Sequence, residues 1–153
     1  MRLFCRLASL LFAATTIACS EPLTPSSVSG YYELESVNGQ PLPVIIGPIP
    51  EETITVLEGS VTLTSEADAY TFERRREVRQ NVPSERTYSS RVGFVLDGIK
   101  IGFLFDCPPN ANCISVEGLI LGKKLRIAYG GFSSPNPKIY EYALQPPRIV
   151  PAN

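Results

Sequence analysis

The densest run of chemically capable side chains in this chain of 153 residues is Glu73-Arg74-Arg75-Arg76-Glu77-Val78-Arg79. Read as a strand, it puts Arg74 and Arg76 on the face begun by Tyr70 and Phe72, and Arg75 and Arg79 on the other face with Glu73 and Glu77. Two guanidinium forks beside two rings can grip a carboxylate or phosphate at the mouth of a cavity. The run also fits a strand passing into solvent with its charges paired to Glu73 and Glu77. Catalysis has less to work with. Histidine is absent, so a Ser or Cys nucleophile lacks its usual base, and the acidic residues fall mainly on turns and outward faces. No enzyme activity, cofactor or metal is expected.

The four cysteines sort by position. Cys5 lies within a stretch that begins with Arg2 and Arg6 and continues as an uncharged, mostly apolar run over residues 7–18. That run has 12 residues, whereas a helix crossing a bilayer core needs about 20. Its basic head, short apolar body and small-residue end make a secretory signal peptide. Export to an oxidising compartment makes a disulfide the first reading of Cys107 and Cys113 in DCPPNANC, and no His is present to complete a metal site. Closing so short a loop contributes about 2 kcal/mol in the chain-entropy model.

Thr16-Ile17-Ala18-Cys19 resembles the lipobox of bacterial lipoproteins. The resemblance implies cleavage after Ala18, acylation of Cys19 and a protein anchored in the cell envelope, at the periplasmic face or the cell surface. One acyl chain binds a membrane only marginally, and the family's several chains imply a durable anchor. Thr16 stands where the family prefers Leu, and Thr16 with Ala18 also suits ordinary signal peptidase, which would leave a soluble secreted protein.

Removing residues 1–18 leaves 135 residues, enough for one domain with its own core. Of 14 basic residues 12 remain, against 15 acidic ones, a balance unsuited to general nucleic-acid binding. Residues 19–29 are rich in Pro and Ser and read as a tether. Residues 30–144 are the domain, and 145–153, with their prolines, a frayed tail.

Within the domain the apolar pattern has the period of strands. Tyr32, Leu34 and Ser36 share a face, and Asn38-Gly39 suits a type I′ hairpin turn into a short partner over residues 41–44. Ile54 and Val56, a turn at Glu58-Gly59, Val61 and Leu63, and then Tyr70 and Phe72 follow. After a loop over residues 81–85, Tyr88, Val92, Phe94 and Leu96 lead to Asp97-Gly98, and Ile99, Ile101, Phe103 and Phe105 return. Ile114, Val116 and Ile120, a turn at Gly122-Lys123, then Leu125, Ile127 and Tyr129, and lastly Tyr140, Tyr142 and Leu144 complete the pattern. About eight to ten short strands joined by tight turns predict an all-β fold, an antiparallel up-and-down barrel. A β-sandwich is the alternative.

Gly30-Tyr-Tyr-Glu-Leu-Glu-Ser-Val-Asn-Gly-Gln-Pro-Leu-Pro43 resembles the opening of a group of bacterial lipoproteins with lipocalin-like barrels, where a Gly-x-Tyr/Trp strand leads into Val-Asn-Gly and Pro-Leu-Pro. Tyr32 takes the Trp position, and residues 92–103 and 116–129 fit the group's hairpin plan. The specific motif covers residues 30–43 only, so the resemblance implies a fold rather than a chemistry.

Two further groups are candidates. Ile45, Ile46 and Ile49, in an apolar, proline-rich loop over residues 43–50, can plug the barrel, form a lid over a cavity, or dock on a partner. The inward aromatics, Phe105 and Tyr140 among them, are either core or the lining of a calyx. In a calyx, Tyr32, Tyr70, Phe72, Arg74, Arg76, Tyr88, Phe94, Phe103, Tyr129 and Tyr142 would meet the ligand. The first functional expectation is thus an anchored barrel binding a small apolar or amphipathic molecule. The alternative is an interaction module, as in small barrel lipoproteins that inhibit lysozymes or proteases by inserting a loop. A hollow barrel favours the first and a filled one the second. Cys19→Ser should release the protein from the membrane fraction, and retention there without the cysteine would remove the lipid anchor.

Overall fold

A computed structural model describes residues 22–49, 52–106 and 116–147. Among them a short helix, α1 (Pro25–Val28), precedes β1 (Gly30–Val37), β2 (Gln40–Pro41), β3 (Val44–Ile49), β4 (Glu52–Leu63), β5 (Asp68–Arg79), β6 (Val82–Asp97), β7 (Lys100–Leu104), β8 (Val116–Leu121), β9 (Lys124–Tyr129) and β10 (Lys138–Leu144). All pairings are antiparallel, in the order β2-β1-β10-β9-β8-β7-β6-β5-β4-β3. A further ladder joins Gly30–Glu33 of β1 to Leu63–Ser60 of β4, so β1 and β4 to β10 close into an eight-stranded barrel. The expected up-and-down barrel is the fold, and the sandwich falls because the sheet closes on itself.

Turn chemistry sets the hairpins. Asn38-Gly39 has positive φ at both residues (51° and 74°), as a type I′ turn requires. Gln80-Asn81 does the same (49° and 63°), so β5 and β6 meet there and the loop expected over 81–85 is strand instead. The Asp97 signal is real but shifted by one residue. Asp97 pairs with Lys100, and the turn is Gly98-Ile99, with positive φ at the glycine alone. Gly122-Lys123 has the same form.

Other expectations are corrected by the pairing. No turn interrupts β4 at Glu58-Gly59; a bulge between Val56 and Glu58 shifts the alternation, so Val56, Val61 and Leu63 all face inward. A second bulge, between Leu34 and Ser36, brings Val37 into the core in place of Ser36. The 43–50 stretch is not a loop. Its residues 44–49 form β3, an outer strand on β4, where prolines cost no ladder bond. Only Gln40 and Pro41 pair with β1 on the return.

The packed domain begins before Gly30. Thr24 caps α1 by accepting the Ser27 N–H, Leu23 and Val28 pack on the core, and the Tyr32 hydroxyl donates to the Val28 carbonyl at 2.8 Å. At the other end Gln145 donates its N–H to Tyr31 O. Cys19 with the signal segment, the Cys107–Cys113 pair, Ile114 and the side chain of Ile49 lie outside what is described.

The barrel axis is filled. Tyr32, Tyr140, Leu63, Ile101, Leu125 and Ile127 are its largest fully buried side chains, each contributing about 1.5–3 kcal/mol by burial. Gly118 sits opposite Ile101, and a Cβ there would collide with the Ile101 methyl and press on the Arg126 carbonyl. Gly118→Ala is therefore expected to lose about 1–3 kcal/mol by overpacking. An unchanged urea midpoint would show slack in this layer.

Candidate functional site

The strands are unequal, and the inequality builds the site. β5 has 12 residues and β6 has 16, whereas β7 pairs only with Gly93–Asp97 of β6. The excess of β5 and β6, joined by β3 and the first half of β4, continues past the barrel as a ribbon, and residues 82–91 of β6 are all exposed.

Along β5 the expected grouping is present with its direction reversed. Ala69 lies opposite the buried Leu63 and is itself fully buried, which turns Thr71, Glu73, Arg75 and Glu77 inward. Tyr70 and Phe72, 44% and 37% exposed, face solvent with Arg74 and Arg76. Tyr70, Arg74 and Arg76 do not line the interior as expected, and Phe72, 37% exposed, borders the recess described below. Of the other expected ligand contacts, Tyr32 and Phe94 are deep in the core, Phe103 packs on it half-buried, and Tyr88, Tyr129 and Tyr142 come together. Ile46 is half-buried against the core and Ile45 is 61% exposed, while Ile99 and Phe105 face solvent at the two ends of their run.

The convergent residues make a polar recess of about 290 Å³, lined in part by Thr71, Glu73, Arg75, Tyr88, Ser90, Tyr129 and Tyr142. Arg75 is ion-paired with Glu73, and its guanidinium lies 5.0 Å from the centroid of the Tyr88 ring. The Tyr88 hydroxyl reaches past it to donate to Glu77 Oε1. Glu77 is buried, with Arg79 Nη2 and Arg86 Nε each 3.5 Å from its Oε2. Behind them Tyr129 meets Tyr140 edge-on at 4.9 Å, and Tyr140 stacks near Tyr142 at 6.5 Å. Thr71 and Ser90 hydroxyls are 2.6 Å apart.

Burial, with the Glu73 charge adding to it, raises the Tyr140 and Tyr142 hydroxyls well above their usual range and raises Tyr129 too. They remain protonated. Burial works against the Arg75 charge, but the hydrogen bond and charge of Glu73 outweigh it and hold that pKa above its usual value. The recess therefore offers hydroxyls and one carboxylate–guanidinium pair, groups suited to orienting a small polar molecule. Among the described residues no three His, Cys, Asp or Glu converge on a metal position.

On the outer face the arginines are matched. Arg74 Nε is 2.8 Å from Glu58 and its Nη1 3.3 Å from Glu85, which also takes Arg76 at 2.9 Å. Arg91 binds Asp68 at 2.6 Å and lies 5.5 Å from the Tyr70 ring centroid. Such exposed pairs are worth about 0–1 kcal/mol each. Arg74 and Arg76 thus form part of an ion-paired sheet surface instead of a clamp at a barrel mouth. Glu73, Arg75 and Glu77 were missed as interior residues. Their sequence signal is the alternation Glu-x-Arg-x-Glu, a single strand face that neutralises itself.

Compared with known proteins, the chain matches no family model, no curated protein and no solved structure.

The raised tyrosines set an alkaline limit. A hydroxyl whose folded pKa lies above its unfolded value adds stability that is complete below about pH 10 and is lost as pH rises toward the folded value. Tyrosinate absorbance from Tyr129, Tyr140 and Tyr142 should complete only as the near-ultraviolet tertiary signal disappears. Full titration with that signal intact would show the recess open to hydroxide.

Proposed function

We propose that this chain is a lipid-anchored interaction module of the bacterial cell envelope, held by Cys19 and docking on a protein partner through the outer face of its ribbon. It is non-enzymatic and acts by occupancy, in the manner of inhibitor modules of the periplasm. The observation that carries this reading is the pairing of a filled barrel with an outward stripe of Tyr70, Phe72, Arg74 and Arg76. Aromatic residues and arginine dominate the energy of protein interfaces, and a stripe whose charges are already matched presents rings without an uncompensated field. Exposed Ile45 lies on the same face, in line with Thr55 and Arg76, and extends the apolar contact across β4.

The recess under Tyr88 favours a second reading, binding of a small molecule. At about 290 Å³ it falls at the lower limit of ligand pockets, and its lining suits a polar or amphipathic guest better than a purely apolar one.

Titrating the protein into a muramidase and into a serine protease tests the first reading. Stoichiometric inhibition is expected, weakened about tenfold or more by Tyr70→Ala with Phe72→Ala. Saturable uptake of a fluorescent fatty acid, lost in Tyr129→Phe and untouched by Tyr70→Ala, with no inhibition of either enzyme, would replace it by the second.

A further inference from the structure

Among the described residues the ribbon leaves one sheet edge open. β5 and β6 pair without a break from Val82 to Gly93, and β7 takes up the other side of β6 only from Gly93 onward. Phe94 donates its N–H to the Ala67 carbonyl at 2.8 Å, on the β5 side. Main-chain groups alternate in direction along an antiparallel ladder, so the even-numbered residues of β6 face β5. Pro83, Glu85, Thr87, Ser89 and Arg91 turn theirs the other way, where no described residue pairs with them. Unpaired edges are templates for another strand, and proteins usually blunt them with lysine, bulges or brevity. Residues 82–91 contain no lysine and no bulge; Pro83 sits beside the turn, and the charges of Glu85, Arg86 and Arg91 are matched within the chain by Arg76, Glu77 and Asp68.

We propose that a second copy of this chain pairs with this edge, β6 against β6 in antiparallel register, about a twofold axis at Thr87. The register follows from the edge itself. It runs over residues 83–91, and a symmetric pairing that uses all of it must centre on its midpoint, Thr87. Thr87 then faces Thr87, Glu85 faces Ser89, Ser84 faces Ser90, and Arg86 faces Tyr88 of the other copy. No like charges meet, and arginine over tyrosine is a favourable cross-strand pair. Centring one residue nearer the turn sets Arg86 against Arg86. Centring one residue nearer the barrel sets Pro83 opposite Gly93, whose edge Leu104 already holds. Glu85, Thr87 and Ser89 would exchange about six main-chain hydrogen bonds with their counterparts. The axis is normal to the sheet, so the Tyr70–Phe72–Arg74–Arg76 stripes of both copies share one face.

Sedimentation of the full chain in mild detergent tests this. The wild type is expected at twice the monomer mass. Thr87→Pro removes an N–H that points to the open side, so it should give monomer with an unchanged urea midpoint. Thr87→Cys should give a reducible dimer under mild oxidation beyond the wild-type background, and Val95→Cys, on the barrel part of β6, should not. If Thr87→Pro fails to fold, the two cysteine variants decide alone. A wild-type monomer, a Thr87→Pro dimer, or a Thr87→Cys adduct only with a different protein would each overturn the proposal.

Discussion

Closure between β1 and β4 is the constraint on which the other features depend. A sheet of this size must leave two edges or join them, and here the join covers only Gly30–Glu33 against Leu63–Ser60. Beyond it β1 and β4 separate, and the chain fills the gap with its own next segments, β2 on β1 and β3 on β4. Each parting strand carries a bulge near the point of separation, between Leu34 and Ser36 on one and between Val56 and Glu58 on the other. An extra residue restores the inward aim after the strand bends, so Val37 and Val56 still reach the core. The seam is thus closed by backbone and kept dry by two bulges.

The second consequence is the ribbon. A strand face that leaves the barrel can no longer be apolar without meeting water, yet at the junction it is still covered. The chain answers with alternating charge, Glu73, Arg75 and Glu77, under the ring of Tyr88. Covered charges are costly unless paired, and this ladder gives each an opposite charge two residues away on its own strand or an arginine from beside it, although Glu77 Oε2 has its two arginines at 3.5 Å and no hydrogen bond among the described residues. The recess with its tyrosines is the space left where apolar packing gives way to that ladder.

Much of this was legible in sequence, and the failures have a common cause. Asn38-Gly39 and Gly122-Lys123 named their turns because positive φ narrows the choice of residue. Period-two alternation likewise grouped the side chains of β5 correctly. It could not say which group faces in, because a period fixes partition and not direction. Two aromatics beside a small Ala69 looked like the core, and only the register with Leu63 reverses them. Bulges are silent in the pattern and shift it by one. Gly59 shows another ambiguity: it reads as a turn, but a Cβ there would press on Leu34, so the glycine serves close packing inside a continuous strand.

The same limit explains why the candidate site was half visible. Tyr88, Tyr129 and Tyr142 were found because inward aromatics are conspicuous; Glu73, Arg75 and Glu77 were assigned outward because charge usually is. What decides their position is strand length, a quantity set by partners far away in sequence. β7 stops pairing at Leu104, and beyond that point β6 has a neighbour on one side only among the described residues. Among the described residues large side chains fill the barrel axis, and the polar recess lies where strands outrun their neighbours. There the backbone supplies an edge, the outer face supplies rings and matched arginines, and the inner face supplies a polar recess. All three arise from one mismatch in length, which is why these groups gather on the ribbon and not at the barrel mouth.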